Sequence, residues 1–316
     1  MKFSFFEINE SKGNVFDEFA SQNPCSGFQQ SFTWAKANKT EENESFCLCI
    51  LEGEEIIAGG IFYLTPDENG DYLYCPDGPV LDWSQNNYIE IMETLFFEAC
   101  ERINVKKIMF NPRIAVEKIG FSERYTKCGT DLDSKYTRII DLDESENDIL
   151  AQMSGSGRRM IRIAEQKELK LKKGGKGDAE AFYELYLDTS KRNNFPSKSF
   201  EHISTLCKDL LEKRQGVLYL AYQGEEAVAG AIITYFGPVA YYLYAATRSG
   251  TQDTRAIFLV IWEAIKDARN HGLRVFDFGG ITLGENTWSG FSEFKQKFGG
   301  RILEFEGMYL YTKKAE

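Results

Sequence analysis

The sequence is poor in the residues that mark several common classes of enzyme. Two histidines, His202 and His271, are present among 316 residues, which leaves little scope for a Ser or Cys triad with a histidine base. The seven cysteines are an odd number at irregular intervals without a C-x-x-C pair, so reduced thiols and no metal site are expected. A G-x-S-x-G nucleophile segment is also absent. Covalent catalysis and zinc chemistry are therefore not expected.

Long apolar segments are missing as well. The N-terminal sequence MKFSFFEINES lacks the apolar stretch and the small-residue cleavage site of a secretion signal. No run of about 18 apolar residues follows it. A cytoplasmic protein with at most peripheral membrane contact is expected, and the net charge of −11 argues against broad binding to DNA or to an anionic membrane face.

The composition is that of a folded α/β protein. Hydrophobic residues at 43% and aromatic residues at 14% are too frequent for a disordered chain. A length of 316 residues exceeds a typical domain of roughly 100–200 residues, which predicts two domains. Strand-like and helix-like segments alternate in both halves, so we expect mixed sheets flanked by helices.

Both halves contain a similar hairpin sequence. The segments are CLCILEGEEIIAGGIFYL and VLYLAYQGEEAVAGAIITYF, and each has the order strand, Gly-Glu-Glu, Ala-Gly, strand. Gly-Glu hairpins with apolar flanks are frequent on their own. The shared order nevertheless favours duplication of one α/β unit.

Four segments in a fixed order carry a more specific signal. They are FQQSFTWAKANK at 28–39, CPDGPVLDW at 75–83, SGSGRRMIRIAEQKELKLKKG at 154–174, and the span 240–300 with AYYLYAAT, LRVFDFGGI and WSGFSEFKQKFGG. Together they resemble the Fem family of bacterial peptidoglycan-bridge aminoacyltransferases, in the short form without the helical coiled-coil arm. Similarity to this family extends over nearly the whole chain.

The resemblance implies a fold and an activity. The expected architecture is two tandem GNAT-like domains at 1–138 and 139–300, with the segment 301–316 returning as a strand to the first domain. The implied reaction transfers an amino acid from aminoacyl-tRNA to the stem-peptide amine of a UDP-MurNAc-peptide, since the short form acts on soluble nucleotide-linked precursors. An aminoacyl ester is already activated, so no cofactor is expected.

The resemblance also implies roles for residues in the second half. Lys295 matches a family lysine proposed to stabilise the tetrahedral intermediate, and its alternative is a solvated lysine on an amphipathic helix. Tyr242 and Tyr244 match a Tyr-x-Tyr pair at the acceptor site, and their alternation on a strand predicts that they share one face. Ordinary core tyrosines are the alternative. The Gly-Gly turn at 279–280 is interpreted as structural.

Further substrate contacts are implied by Lys36, Lys198 and His202. Lys36 matches a lysine that contacts the nucleotide-linked sugar peptide. Lys198 and His202 stand where the family has Arg and Tyr, so a diphosphate contact is retained without the bidentate geometry of arginine. Asn111 replaces an Asp found after the equivalent strand in relatives, which predicts that no carboxylate base is available there.

A basic segment at 158–176 contains eight Lys or Arg against two Glu. Arg158 and Arg162 are one helical turn apart, and Met160, Ile163 and Ala164 form an apolar stripe. The helix is therefore expected to pack by one face and to offer Arg158, Arg159 and Arg162 to tRNA phosphates. A solvated helix face is the alternative interpretation.

Two rival functions fit the same fold. An acyl-CoA-dependent GNAT N-acyltransferase needs a glycine-rich loop that binds pyrophosphate through backbone N–H groups. The corresponding stretch ATRSGTQDTRAIF has one glycine and includes Asp253, which makes a poor anion site. A noncatalytic RNA- or nucleotide-binding protein is the third possibility.

Overall fold

A computed structural model of the protein describes residues 2–7, 13–39, 44–115, 125–129, 133–175, 177–283 and 289–313. The chain divides into two compact units, Met1–Lys135 with Glu304–Glu316, and Tyr136–Leu303. Each unit contains one mixed sheet with helices. The predicted α/β class with mixed sheets flanked by helices is confirmed.

The described elements are as follows in chain order. The strands are β1 (Lys2–Glu7), β2 (Ser45–Glu52), β3 (Glu55–Thr65), β4 (Tyr72–Pro76), β5 (Val80–Leu81), β6 (Lys107–Asn111), β7 (Thr126–Lys127), β8 (Tyr136–Asp141), β9 (Leu169–Lys173), β10 (Gly216–Gln223), β11 (Glu226–Phe236), β12 (Val239–Thr247), β13 (Val275–Gly280), β14 (Arg301–Glu304) and β15 (Tyr309–Thr312). The helices are α1 (Gly13–Gln22), α2 (Phe32–Lys39), α3 (Tyr88–Ile103), α4 (Glu146–Gln152), α5 (Gly155–Glu165), α6 (Ala179–Asn193), α7 (Phe200–Lys213), α8 (Ala256–Asn270) and α9 (Ser289–Gln296).

The first unit is built on the strand order β1-β2-β3-β4-β6-β15-β7, with β5 paired to β3. Neighbours are antiparallel except for the parallel pair β4 and β6. Helix α3 packs on this sheet through an aromatic core in which Phe96 lies edge-on to Phe62 and Phe110, with ring centroids 6.2 and 5.0 Å apart. Burial of these large side chains is the main stabilising contribution in this unit.

The second unit has the strand order β14-β8-β13-β12-β11-β10-β9, and β12 and β13 are its parallel pair. Its two sheet faces are covered by different helices. Ala229, Ala231 and Ile233 on β11 share a hydrophobic core with α8. A methyl group at Gly230 would instead lie 3.0 Å from Phe182 of α6. The alternation of side chains along β11 therefore separates the α8 face from the α6 face.

The repeated hairpin has the same geometry in both units. The strands are 8 and 11 residues long in each case. A bulge follows the sixth residue of the first strand in both hairpins. The turn glycines, Gly53 and Gly224, have φ of +66° and +61°, which a side chain would disfavour. Shared length, register and bulge support duplication of one unit.

The C-terminal segment differs from the expected single strand. Arg301–Glu304 forms β14 on the second sheet beside β8, and Tyr309–Thr312 forms β15 on the first sheet beside β6. The expectation that the whole segment returns to the first domain is therefore wrong for β14. The guanidinium group of Arg301 supports the pairing of β14 with β8, because it donates to both carboxylate oxygens of Asp141 at 3.0 and 3.1 Å.

Candidate active site

The parallel strands of the second unit separate along their length. The recorded pairing of β12 with β13 runs from Val239↔Val275 to Tyr241↔Asp277. Beyond this point Gly280 pairs with Thr137 of β8 on the far side. The facing edges of the two strands therefore stop bonding to each other next to Tyr242 and Gly279. Such a gap leaves backbone groups accessible to a ligand.

Lys295, on α9, projects to this gap. Its Nζ donates a hydrogen bond of 2.6 Å to the carbonyl oxygen of Gly280 and lies 5.9 Å from the centroid of the Tyr242 ring. Burial lowers the pKa of Lys295 to about 8, while the charge of Asp277 acts in the opposite direction. The ammonium group is thus partly desolvated and held by one carbonyl, which suits it to stabilise a developing negative charge.

Asp277 is a site residue that we did not predict. It is 1% exposed on β13, and its Oδ1 accepts hydrogen bonds from the hydroxyl of Thr137 and, at 2.7 Å, from the backbone N–H of Gly279. A signal was present in the sequence, because an acidic residue interrupts the apolar strand VFDFGG directly before the glycines. A charge in an apolar strand needs compensation when it is buried.

Tyr242 and Tyr244 do not share a face, so that prediction is wrong. Ile232 pairs with Tyr244 whereas the next residue, Ile233, pairs with Tyr242, so Leu243 forms a bulge. One extra residue shifts the side-chain alternation and sends the two tyrosines to opposite faces. Tyr242 packs on the α8 side of the sheet, and Tyr244 faces α6 and α7.

The half-buried Tyr244 and the buried His202 form a polar pair. The Nε2 of His202 lies 3.2 Å from the Tyr244 hydroxyl, and His202 is 0% exposed. The ring of Tyr186 lies 5.5 Å from the Tyr244 ring in an edge-on arrangement. Lys198, half-buried in the connection before α7, is fixed through its backbone, since its carbonyl accepts from the Tyr183 hydroxyl at 3.3 Å. Three of the predicted acceptor residues therefore lie around one aromatic cluster.

Lys36 belongs to the first unit. It lies exposed on α2 between the buried residues Ala35 and Ala37. The helix is thus anchored by its alanines while the lysine is on its exposed side. Lys36 and Lys295 are carried by separate units.

A carboxylate lies beside Asn111 in the first unit. Asp133 Oδ2 accepts hydrogen bonds from the Tyr74 hydroxyl at 2.5 Å, from Gln29 Nε2 at 3.1 Å and from Asn111 Nδ2 at 3.5 Å. The expectation that no carboxylate would be available at Asn111 is therefore wrong. Sequence spacing gave no signal for this, because Asp133 reaches the strand end from 22 residues away.

The three arginines of α5 have different environments. Arg158 donates to the carbonyls of Ala151, at 3.0 Å, and of Met153, so its guanidinium group caps the end of α4. Arg159 and Arg162 are exposed. The buried residues of α5 are Gly157, Ile161 and Ala164, so Ala164 of the predicted stripe is buried whereas Met160 and Ile163 are half-buried.

Three other basic side chains of the segment form ion pairs with carboxylates of the same unit. Their ion pairs are Lys167 with Asp253 at 3.7 Å, Lys172 with Asp178 at 2.7 Å, and Lys173 with Asp267 at 2.7 Å. Lys176 lies outside the described residues. Within the described part of the segment, Arg159, Arg162 and Lys170 are exposed and form no ion pair with another described residue. They are the cations best placed to bind external phosphate.

The connection between β12 and α8 uses its own backbone donors. Ser249 donates to Asp188 through its N–H at 2.5 Å and through its hydroxyl at 2.7 Å. Ser249 lowers the pKa of Asp188 and keeps it charged. The N–H of Thr254 donates to the carbonyl of Thr251 at 3.0 Å, and that of Ala256 to the Thr254 hydroxyl at 3.2 Å. These backbone N–H groups are therefore not available to bind a pyrophosphate, and the negative charge of Asp188 beside them would repel it.

Two further features bear on function. Within the described ranges, no group of three or more His, Cys, Asp or Glu side chains is placed to hold a metal ion. None of the helices in those ranges combines the length and the apolarity required to span a bilayer.

Two family models match different parts of the chain. Residues 12–131 match the FemAB family, and residues 155–296 match the acetyltransferase (GNAT) domain. The first match lies within the first unit and the second within the second unit. The resemblance to the Fem family inferred from the sequence is confirmed.

Curated relatives align over nearly the full chain. A lipid II:glycine glycyltransferase of Staphylococcus haemolyticus is 21% identical over 380 residues, covering 94% of this chain and 90% of the relative. The enzyme of the same name from Staphylococcus aureus strain MRSA252 is 19% identical with the same coverage. The alignments are longer than this chain of 316 residues, so the relatives carry insertions relative to it.

Solved structures share the fold at low identity. The crystal structure of FemX has a TM-score of 0.84 at 16% identity, covering 99% of this chain and 97% of FemX. L-PGS from Bacillus licheniformis has a TM-score of 0.60 at 13% identity, with 98% and 94% covered. A tandem GNAT protein from the clavulanic acid biosynthesis pathway has a TM-score of 0.57 at 8% identity, with complete coverage of both chains at 100%. The predicted tandem GNAT-like fold is confirmed.

Proposed function

We propose that the chain is a member of the FemAB family and an aminoacyltransferase that adds an amino acid to a peptidoglycan precursor. The donor is an aminoacyl-tRNA, and the acceptor is the stem-peptide amine of a UDP-MurNAc-peptide. The product extends the cross-bridge of the cell wall. The observation that carries this proposal is the partly desolvated ammonium group of Lys295 at the gap between β12 and β13.

The reaction needs positioning and charge stabilisation. The acceptor amine attacks the ester carbonyl, a C–N bond forms, and the carbonyl oxygen becomes an oxyanion. The intermediate collapses as the C–O bond to the tRNA ribose breaks, and the proton lost by the amine neutralises the departing ribose oxygen. The Lys295 ammonium stabilises the oxyanion, a type of interaction worth about 10²–10³-fold in rate. Holding both reactants together contributes about 7–11 kcal/mol to lowering the barrier.

The remaining predicted residues divide between the two substrates. Tyr244, His202 and Lys198 bind the acceptor on the α6 side of the sheet, and Lys36 contacts the phosphates of its nucleotide. Tyr242 supports Lys295 through its ring face. Arg159 and Arg162 bind tRNA phosphates, while Arg158 holds the helix that presents them.

The nucleotide-linked acceptor is favoured by the length of the chain. The curated relatives act on lipid II by name and carry insertions that this chain lacks. A short chain without the coiled-coil arm resembles the family members that use soluble precursors. Lipid II is therefore the second candidate acceptor.

Acyl-CoA dependence is the rival activity on this fold. The N–H groups of Ser249, Thr254 and Ala256 are already bonded in the connection before α8, and the charged Asp188 of α6 lies beside it, which opposes the binding of a coenzyme pyrophosphate. A noncatalytic nucleotide-binding role is opposed by the placement of Lys295, which would have no reason to be desolvated over a gap in the sheet.

One reaction separates these functions. Purified protein is incubated with a pool of charged tRNA and UDP-MurNAc-pentapeptide, and the peptide is analysed by mass spectrometry. We expect a mass gain of one or more amino acids that RNase treatment abolishes. A parallel reaction with lipid II tests the second acceptor. Acetylation with acetyl-CoA in place of tRNA would support the rival enzyme, and binding without turnover would support the noncatalytic role.

A further inference from the structure

A buried carboxylate lies next to the proposed catalytic lysine without being part of any predicted site. Asp277 is 1% exposed, and two neutral groups, the Thr137 hydroxyl and the Gly279 N–H, donate to one of its oxygens. Neutral donors satisfy hydrogen bonding but carry no charge, so a buried carboxylate that they hold still interacts strongly with a nearby cation.

Lys295 is a cation whose charge interacts with this carboxylate. Among the residues that the structure describes, the ionisable groups that bear on its ammonium are Tyr242 from β12, through the ring face, and Asp277 from β13, through charge. The neighbouring Lys297 ammonium lies instead over the ring of Phe258, 5.9 Å from its centroid. Asp277 and Lys295 thus form a partly buried pair of opposite charges.

The same carboxylate also fixes the backbone that receives Lys295. Gly279 has φ of +71°, a left-handed conformation, and its N–H is held by Asp277 at 2.7 Å. The next carbonyl in the chain, that of Gly280, accepts the hydrogen bond from Lys295 Nζ at 2.6 Å. This side chain therefore holds the turn that leads to the accepting carbonyl and contributes to the electrostatic field at the ammonium group.

We propose that Asp277 is a positioning residue for Lys295. Asp277 orients the Lys295 ammonium group through the Gly279–Gly280 turn and keeps this group protonated. This inference rests on the proposed function, in which the protonated form of Lys295 stabilises the oxyanion. Asp277 does not touch the substrates in this account. Its effect on the reaction passes through Lys295.

The decisive variant is Asp277→Asn, because an asparagine oxygen can still accept both hydrogen bonds while the charge is removed. The titration of Lys295 is followed without any substrate, by trace labelling with acetic anhydride across pH and mass spectrometry of the Lys295 peptide. We expect a labelling midpoint near 8 in the unmodified protein. In Asp277→Asn the midpoint should fall by about 1 unit, since loss of an opposite charge lowers the pKa of a lysine.

A matched control is Asp267→Asn on α8. Asp267 also bonds to a buried tyrosine, accepting from Tyr219 at 2.8 Å, but is paired with Lys173. This variant should leave the Lys295 midpoint unchanged. An unchanged midpoint in folded Asp277→Asn would overturn the proposal, because a purely structural carboxylate would be replaced by asparagine without effect on Lys295.

A second variant keeps the test decisive if Asp277→Asn does not fold. Gly279→Ala retains the charge of Asp277 but strains the left-handed turn, and the added methyl group would meet nothing closer than 3.9 Å. We expect kcat to fall on the order of tenfold to a hundredfold with the acceptor KM retained, because the carbonyl that holds Lys295 moves. Gly279→Asn, which tolerates the left-handed conformation, should recover most of kcat.

The kinetic readout separates this proposal from the proposed function. A shifted labelling midpoint with an altered pH dependence of kcat supports both. A shifted midpoint without any change in kcat would retain Asp277 as the residue that controls Lys295 but would remove Lys295 from catalysis. An unshifted midpoint, or full activity of Gly279→Ala with Lys295 still essential, would contradict the positioning role alone.

Discussion

Tyr242 and Tyr244 are separated by the single residue Leu243 on β12, and their side chains lie on opposite faces of the same sheet. The Tyr242 ring packs against Phe278 and Phe294, with centroids 5.6 and 6.5 Å away, on the side that carries Lys295. The Tyr244 hydroxyl lies 3.2 Å from His202 Nε2 on the other side. The bulge at Leu243 therefore lets one strand serve the proposed transfer site with one tyrosine and the proposed acceptor site with the other.

Tyr244→Phe should weaken acceptor binding and stability with little effect on kcat. The substitution removes the hydroxyl partner of a histidine that is 0% exposed, which costs about 1–3 kcal/mol in the free energy of unfolding. We expect a raised KM for the muramyl peptide and a lower urea midpoint. Tyr222→Phe on β10 is the matched control and should change neither. An unchanged KM would remove Tyr244 from the acceptor site.

Gly157→Ala in α5 should reduce kcat, although Gly157 itself is not a predicted substrate contact. A methyl group at Gly157 would come within 2.2 Å of the carbonyl oxygen of Lys297, two residues after Lys295, whereas Gly155 has nothing within 4 Å. Displacing this turn shifts α9, and we expect kcat to fall on the order of tenfold to a hundredfold. Gly155→Ala should retain full kcat. Equal kinetics of the two variants would show that the turn after α9 tolerates displacement.

Arg159 and Arg162 should contribute to tRNA binding more than the paired lysines. Removing one cation that binds a phosphate reduces the slope of log K against log salt by about 1, so Arg159→Gln with Arg162→Gln should reduce it by about 2. Lys172→Gln with Lys173→Gln removes as much charge from side chains that are already ion-paired, and should reduce the slope less. Equal slopes for the two double variants would point to a nonspecific charge effect.

The pH dependence of kcat should report the Lys295 ammonium. The free-amine fraction of the acceptor rises with pH, whereas the protonated fraction of Lys295 falls above its pKa of about 8. We therefore expect kcat to rise to about pH 8 and then to level off. Lys295→Arg stays charged at every pH, so its lower rate should keep rising above that pH. A plateau in both proteins would assign the break to another group.

The local elements were predictable because their signals are local. The two hairpins follow from Gly-Glu turns between apolar segments, and α6 follows from a helical period over AEAFYELYLDTSKRN. The faces of Tyr242 and Tyr244 were not predictable, because a bulge of one residue depends on pairing with β11. The capping use of Arg158 depends on the end of another helix, α4.

The candidate site was predictable where a residue type is tied to chemistry. The role of Lys295 could be predicted from its sequence motif. Asp277 could not, because it lies inside a strand and its charge partner is distant in sequence. Asp133 reaches Asn111 through tertiary packing over 22 residues. Long-range contacts of buried polar groups are set by the assembled sheet, and sequence periodicity carries no record of them.

The central claim is that the Lys295 ammonium stabilises the oxyanion formed during aminoacyl transfer. The most direct measurement is single-turnover transfer from charged tRNA to UDP-MurNAc-pentapeptide by Lys295→Ala, with acceptor affinity measured in parallel and Lys297→Ala as control. We predict a rate lower by about 10²–10³-fold with unchanged acceptor Kd, and a near-normal rate for Lys297→Ala. A rate equal to that of the unmodified protein, or a loss explained by Kd alone, would contradict the account.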